Sequence, residues 1–466
     1  MQLINKAISL LKIQRLYILT AVLCFILIFI KSFYSIDPDF GWHLQAGKYI
    51  LNNGIPTYDV FTFTATNFKW INHEWLNDVL IYTLFSGGGY ILTAVFFTSI
   101  WIFGLLIAKR TNIKFALLLA TVSVLPFAGI RPVAWTVFFI AILERIITTK
   151  KKGLHFFLPA LFLLWANLHG SFVLGLLILI LYQIFSTYNL RWYILLFSFL
   201  AVFVNPYGIY VFEEIIRTGA DSQLRFKVTE WMPVLLPYVS VSYVAITVAL
   251  VLAFKKRLWG AIFSIPSLTL LMTISSIRHL PVFVATSVRY LEYYQGVLIN
   301  KLKAIKPTKE INRVVWTSLS VLWIFVIVSA VVGVRGTIYQ PEKYPTKAVA
   351  YLNENSCKGN IFNSYNYGGY LIWQLPDAKV YIDGRMPSWV NNNQNYFNDY
   401  LDFINKEESR KEQIKKYNIR CVLVSNDEAY PKNNKSQPLG EWLIKNNWES
   451  IKPASSKSYT LFILKP

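Results

Sequence analysis

Long apolar runs alternate with short polar connections over most of the chain. Runs of spanning length, or close to it, lie near residues 16–34, 89–108, 114–130, 132–148, 154–168, 170–187, 192–204, 239–254, 258–276, 279–295 and 314–333. A bilayer-crossing helix needs about 20 apolar residues, fewer where neighbours shelter its ends. The pattern therefore predicts an α-helical polytopic membrane protein with about eleven transmembrane helices. From Gly336 onward apolar density falls and the period shortens. Gly359-Asn-Ile-Phe-Asn363, Lys379-Val-Tyr-Ile-Asp383 and Cys421-Val-Leu-Val-Ser425 predict buried strands, and segments near 344–354, 395–417 and 438–447 predict helices. Such alternation is that of a small α/β layer domain. The chain thus divides into a transmembrane helical domain, 1–335, with external loops at about 35–75 and 205–238, and a soluble α/β domain, 336–466.

Positive charge sets the orientation. Lys6, Lys12 and Arg15 precede the first run; Lys109, Arg110 and Lys114 separate the second from the third. Lys150 to Lys152, then Arg191, then Lys255, Lys256 and Arg257 fill every second connection after that. Lys301, Lys303, Lys306, Lys309 and Arg313 come before the last run. Basic connections stay in the cytoplasm. The N-terminus is therefore expected inside and residues 336–466 outside a cell membrane crossed many times. Composition agrees: 55% of residues are hydrophobic and 15% charged, against about 25% charged in soluble proteins. The net charge of +21 would suit nucleic acid, but its distribution in short clusters between apolar runs excludes that partner. No small-residue cleavage site follows the first run, which reads as a retained helix. Cys24, Cys357 and Cys421 lack metal-ligand spacing. Cys24 falls in an apolar run, whereas the other two share the soluble region, where sequence leaves their pairing open.

The opposite face carries the chemistry. Its first loop holds Asp37, Asp39, Asp59, His73 and Glu74; its shorter turns hold Arg131, Asn167 with His169, Asn205, and Arg278 with His279. A longer loop holds Glu213, Glu214, Asp221, Arg225 and Glu230. Ionisable groups at a membrane boundary are costly unless they line a wet cavity or bind a ligand. Asp37-Pro-Asp39 directly follows the first span. Its two carboxylates suit a divalent cation, Mg2+ or Mn2+, or a division of labour between base and metal ligand; a solvated turn has the same string. His73-Glu74-Trp75 stands where the loop re-enters the membrane, either extending that acidic cluster or starting a helix capped by Asn72. Lacking a second histidine four residues on, it is no zincin motif. Arg131, His169 and Arg278-His279 interrupt apolar runs, as donors to a lipid phosphate would and as interfacial anchors also do. Asp383-Gly-Arg385 follows a predicted strand and reads as an Asp-Gly turn or as a group reaching over the site.

Asp37-Pro-Asp-Phe-Gly-Trp-His43, continuing to Gly54-Ile-Pro56, resembles the first external loop of the GT-C superfamily. Its members are membrane glycosyltransferases that use polyprenyl-phosphate-linked sugars. The acidic pair, the aromatic-histidine step and a helix ending in Gly-x-Pro are similar to oligosaccharyltransferase catalytic subunits and, more loosely, to protein O-mannosyltransferases. Ser364-Tyr-Asn-Tyr-Gly368 is similar to the Trp-Trp-Asp-Tyr-Gly segment of the oligosaccharyltransferases, with Tyr365 and Tyr367 in it and Ile382-Asp383 downstream. Both tryptophans and the aspartate are replaced, by Ser364, Tyr365 and Asn366. In that family these residues hold the acceptor's Ser or Thr, so an acceptor other than a sequon asparagine is expected.

The resemblance implies sugar transfer with inversion from a polyprenyl-phosphate donor to a glycan, lipid or protein acceptor outside the cell. Asp37 or Asp39 would act on the acceptor, with or without metal. Arg131, His169, Arg278 and His279 would hold the phosphate, and His43, His73 and Glu74 would extend the acidic cluster. Two rivals remain. An envelope polysaccharide polymerase or ligase relies on arginine and histidine instead of an acidic pair. A lipid-linked glycan transporter would show inverted repeats and broken mid-membrane helices.

Overall fold

The computed structural model describes residues 2–109, 114–185, 190–221, 228–233, 264–304, 343–431 and 437–465, with scattered helical positions between 310 and 335. The expected span at 239–254, most of that at 314–333, and Arg225, Lys255, Lys256 and Arg257 lie outside the described residues. The chain divides into two compact units. One takes in residues 1–36, 88–208 and 222–338; the other takes in 37–87, 209–221 and 339–466. The second unit therefore includes segments that a boundary at 335/336 leaves with the helices.

The first unit is helical. Gln2–Tyr34, Lys114–Val124, Val133–Ile147, Leu158–Leu168, Phe172–Phe185, Trp192–Ala201, Ile265–Ser275 and Leu280–Ala304 coincide with predicted runs. The helix Trp75–Ala108 breaks its backbone at Gly88 and at Gly89, where φ is +65°, a conformation glycine reaches without Cβ strain. That break is the unit boundary and the start of the predicted run at 89. Among the described residues, two helices are long and apolar enough to cross a membrane, Tyr17–Tyr34 and Trp75–Ala108; five more are apolar but shorter. Inward faces stack aromatic rings: Trp135 on Phe139 at 5.8 Å, Phe139 on Trp165 at 5.3 Å. Outward faces leave Leu164, Ile180, Ile184, Trp192 and Phe197 exposed. Large apolar side chains turned outward along helix after helix suit lipid better than water.

The second unit carries a four-stranded sheet in the order β1-β4-β6-β5. Its strands are β1 Asn360–Asn363, β4 Ile419–Ser425, β5 Trp448–Ser450 and β6 Tyr459–Leu464; Val390–Asn391 (β2) and Gln394–Asn395 (β3) form a separate hairpin. β1 is parallel to β4 and the other two pairings are antiparallel. The helix Tyr396–Asn405 buries Tyr396, Phe397, Tyr400 and Phe403, one helical face, and stacks Phe403 on Phe362 of β1 at 3.7 Å. Cys357 and Cys421 form a disulfide.

Three expectations change. The predicted helix 395–417 is two, Tyr396–Asn405 and Glu407–Lys416, because Lys406 is extended. Lys379–Asp383 is no strand: Val380 alone makes single bridges, to Thr62 and Ile361. The amide of Asn363 takes over the pairing, accepting from Tyr381 N at 2.8 Å and donating to Ile382 O at 2.8 Å. The external segment around 211–220, read as loop, is an amphipathic helix, Val211–Ala220.

Candidate functional site

Asp37 and Asp39 follow the first helix and belong to the second unit. Asp39 N donates to Asp37 Oδ1 at 3.0 Å, an Asx turn of the kind short acidic side chains form. The turn launches the helix Phe40–Asn53, whose N-cap is Asp39; its carboxylate makes no capping hydrogen bond. The carboxylate lies instead against Gly384, where an added Cβ would land on it. Both aspartates are partly exposed. The helix buries Phe40, Trp42, His43 and Leu44 and packs on Gly368–Gln374, where glycines permit close approach: a Cβ on Gly41 would strike Gly369 O, and one on Gly369 would strike Pro38 O.

His43 is buried and bonded through Nδ1 to Asp78 Oδ1 at 2.6 Å. Its Nε2 lies 3.9 Å from Glu74. Burial opposes the imidazolium, but Asp78, Glu74 and Asp39 together overcome it and push the His43 pKa above its ordinary value. Asn72 serves both readings: its side-chain amide donates to Asp78 Oδ2 at 2.7 Å, and its side-chain oxygen accepts from Glu74 N at 3.2 Å, just ahead of the helix that begins at Trp75. His73 stands 3.7 Å from Glu74 at the edge of this cluster. Asp78 was missed because its partner His43 lies 35 residues away in sequence, which leaves no local signal.

Asp383 and Arg385 join the same unit. The Arg385 guanidinium donates to both Asp383 oxygens, at 2.9 and 2.6 Å, and stands 2.8 Å from Asp59 Oδ1. Tyr365 donates to Gly384 O at 3.3 Å. Tyr367 is buried edge-on to Tyr459; burial first, then Glu428, Tyr459 and Asp427, push its phenol up. A cavity of about 260 Å³ opens beside these residues, lined by Pro38, Lys343, Tyr344, Ser364, Asn366, Tyr367, Ser425 and Glu428. Glu428 accepts there from Ser364, Tyr400 and Ser425.

The cationic candidates fall in the first unit. Arg131 pairs with Glu230, and Arg278 covers the Trp231 ring at 4.1 Å. Ile277 N donates to Met232 O at 2.9 Å, so the short segment 229–232 draws the two arginines to one place. His279 Nδ1 lies 3.2 Å from Ser276 O. His169 bonds Thr136 and Ser171, at 3.1 and 2.7 Å, one turn of helix beyond Arg131. Among the described residues no three His, Cys, Asp or Glu side chains gather into a metal-ligating set. Asp37 and Asp39 alone do not fit a protein-built Mg2+ or Mn2+ site.

No family model matches the chain, and no curated protein matches it in sequence. Solved structures match it in fold. An archaeal oligosaccharyltransferase, AglB from Archaeoglobus fulgidus, in complex with an inhibitory peptide and a dolichol-phosphate, superposes with a TM-score of 0.60 at 11% identity, covering 89% of this chain and 70% of that one. The Archaeoglobus fulgidus oligosaccharyltransferase tethered to an acceptor peptide with the NVT sequon gives 0.56 at 12%, covering 88% and 69%. Its complex with Zn and sulfate gives 0.56 at 12%, covering 94% and 72%. The resemblance to oligosaccharyltransferases read in the sequence is met at the level of fold.

Proposed function

We propose that this chain is a membrane glycosyltransferase of GT-C type, moving a sugar from a polyprenyl-phosphate-type donor to an extracytoplasmic acceptor with inversion. The observation that carries the reading is the Asp37-Pro38-Asp39 turn. It follows the first apolar helix and places two carboxylates at the start of the helix Phe40–Asn53, in a fold shared with oligosaccharyltransferases. A similar structure holds a dolichol-phosphate, which supports an isoprenoid phosphate donor. The disulfide Cys357–Cys421 supports an oxidising, extracytoplasmic side for residues 336–466, with the N-terminus cytoplasmic.

The chemistry follows from named groups. Arg131, His169, Arg278 and His279 of the first unit neutralise the donor phosphate, which then leaves as the anomeric carbon is attacked. Asp39 or Asp37 takes the proton from the acceptor nucleophile. Acceptor contacts belong to the cavity lined by Ser364, Asn366 and Tyr367, whose side chains differ from the sequon-binding segment of the oligosaccharyltransferases. A divalent ion would find two carboxylates at Asp37 and Asp39 and need its other ligands from water or substrate. One similar structure is a complex with Zn and sulfate.

The test is transfer of labelled sugar from polyprenyl-phosphate sugars to an envelope extract by the full chain in nanodiscs. Neutralising both carboxylates, Asp37→Asn with Asp39→Asn, is expected to lower transfer by roughly 10²–10⁴-fold, the usual worth of general base catalysis. Near-normal transfer by that double variant would instead favour a polymerase or ligase that works through arginine and histidine.

A further inference from the structure

We infer that the Asp383-Gly384-Arg385 turn is a positioning element for the Asp39 carboxylate, fixed in place by a buried arginine clamp. The inference rests on the reading of Asp39 as a working carboxylate. An Asp-Gly turn at a surface needs only its own Asx bond, which is present, Arg385 N donating to Asp383 Oδ1 at 3.0 Å. Everything beyond that bond calls for a different reason.

The Arg385 side chain is 3% exposed, and the Asp383 and Asp59 side chains it joins are fully buried. The second oxygen of Asp59 accepts from Thr62 N at 2.9 Å and Thr62 Oγ1 at 2.5 Å. Four rings enclose the guanidinium: Trp70 at 4.4 Å, Phe61 at 5.0 Å, Trp389 at 5.2 Å and Trp42 at 5.8 Å. Glu214, from the helix Val211–Ala220, lies close enough to feel its charge. Arg385 thus ties together all three sequence segments of the second unit. Burying three charges in one place is costly, and an apolar cluster of the same volume would hold these segments at least as well.

Gly384 supplies the reason. Its φ lies outside the positive region that favours glycine, unlike Gly54, Gly89, Gly129 and Gly208. Backbone conformation therefore does not dictate glycine here. The neighbour matters instead: a Cβ at this position would land 1.8 Å from Asp39 Oδ1, so any side chain requires the Asp39 carboxylate to move. Tyr365 holds the turn through Gly384 O, and Pro38 is seated on Gly369. The bonds of the guanidinium go to Asp383 and Asp59, so the clamp fixes the turn against which the Asp39 carboxylate lies. Misplacing a reacting group by about 1 Å costs on the order of a hundredfold in rate, a reason for so rigid a floor.

The experiment is carbodiimide labelling of the full-length protein in detergent, with modification at Asp39 and Asp37 read by peptide mass spectrometry. In Gly384→Ala the displaced Asp39 carboxylate is expected to label several times faster, with Asp37 as internal reference. Arg385→Lys, which keeps the charge but loses the fork, should show a smaller rise. Unchanged Asp39 labelling in folded Gly384→Ala overturns the inference; should that variant not fold, Arg385→Lys and Asp59→Asn decide by the same readout. In turnover, Gly384→Ala should lower kcat by about a hundredfold with donor KM unchanged, and should add nothing in an Asp39→Asn background. An equal loss in both backgrounds also overturns it. Because labelling needs no sugar transfer, a chain that transfers no sugar would sink the functional reading and still leave the positioning decided.

Discussion

Two sets of arginines separate the two units. In the second, Arg385 is enclosed by four aromatic rings and paired with two fully buried carboxylates. In the first, Arg131 is partly exposed and pairs with Glu230, itself 44% exposed, while Arg278 rests on the face of Trp231. The same residue type serves opposite ends. A charge closed off from water on every side orders its own chain, whereas a charge on a half-open turn beside another cation suits an anion from outside. From sequence, Arg131 and Arg278 are assigned to a lipid phosphate, and Arg385 is left between an Asp-Gly turn and a group reaching over the site.

Arg385→Met leaves Asp59 and Asp383 buried and unpaired, and is expected to destabilise by about 3–5 kcal/mol. Arg131→Met frees a partly exposed glutamate and should cost no more than about 1 kcal/mol. Denaturant or thermal unfolding of the two variants checks this; equal losses would erase the distinction.

Next is the disulfide, which closes a 64-residue separation. Replacing Cys357 and Cys421 by serine is expected to lower stability of the second unit by about 2–5 kcal/mol. Reducing agent should produce the same loss in the wild type and none in the variant.

Arg278→Ala should weaken donor use about ten- to hundredfold, as loss of a charge-assisted bond of roughly 1.5–3 kcal/mol implies. Stability should barely change, and lysine should rescue in part. A fall in melting temperature with unchanged donor dependence would make Arg278 an interfacial anchor and move it to the side of Arg385.

The smallest effect is that of pH. The His43 pKa is raised, by Asp78, Glu74 and Asp39 against the opposing effect of burial. Its contribution to stability is therefore full below the unfolded value of about 6.5 and is lost as pH rises through the raised folded value. His43→Gln should flatten the fall of melting temperature across that window. Parallel curves for variant and wild type would show that His43 titrates as it does in the unfolded chain.

How much of this was legible follows from the range of each signal. The apolar runs were legible because length and hydrophobicity are local; the break of the helix Trp75–Ala108 at Gly88 and Gly89 was not read from the sequence. Asp37 and Asp39 could be proposed from sequence because they are near neighbours directly after the first apolar run. The clamp was not: Asp59 and Asp383 meet through Arg385 only after the chain has crossed both units. Glu230 and Trp231 stood in a loop with nothing to tie them to Arg131 and Arg278. Lys379–Asp383 misled because its alternation is that of a strand, while the hydrogen bonds go to the Asn363 side chain. The helix Val211–Ala220 is short and amphipathic, too polar to stand out against spans.

The central claim is that a first-loop carboxylate drives release of the lipid phosphate by sugar transfer. The direct measurement is polyprenyl phosphate released from a polyprenyl-phosphate sugar by wild type and Asp39→Asn, side by side in nanodiscs with acceptor extract, quantified by mass spectrometry. Release by the wild type that falls by roughly 10²-fold or more in the variant, with both proteins equally folded, is the predicted result. Equal release by the two, or none by the wild type with any polyprenyl-phosphate sugar, would contradict the account.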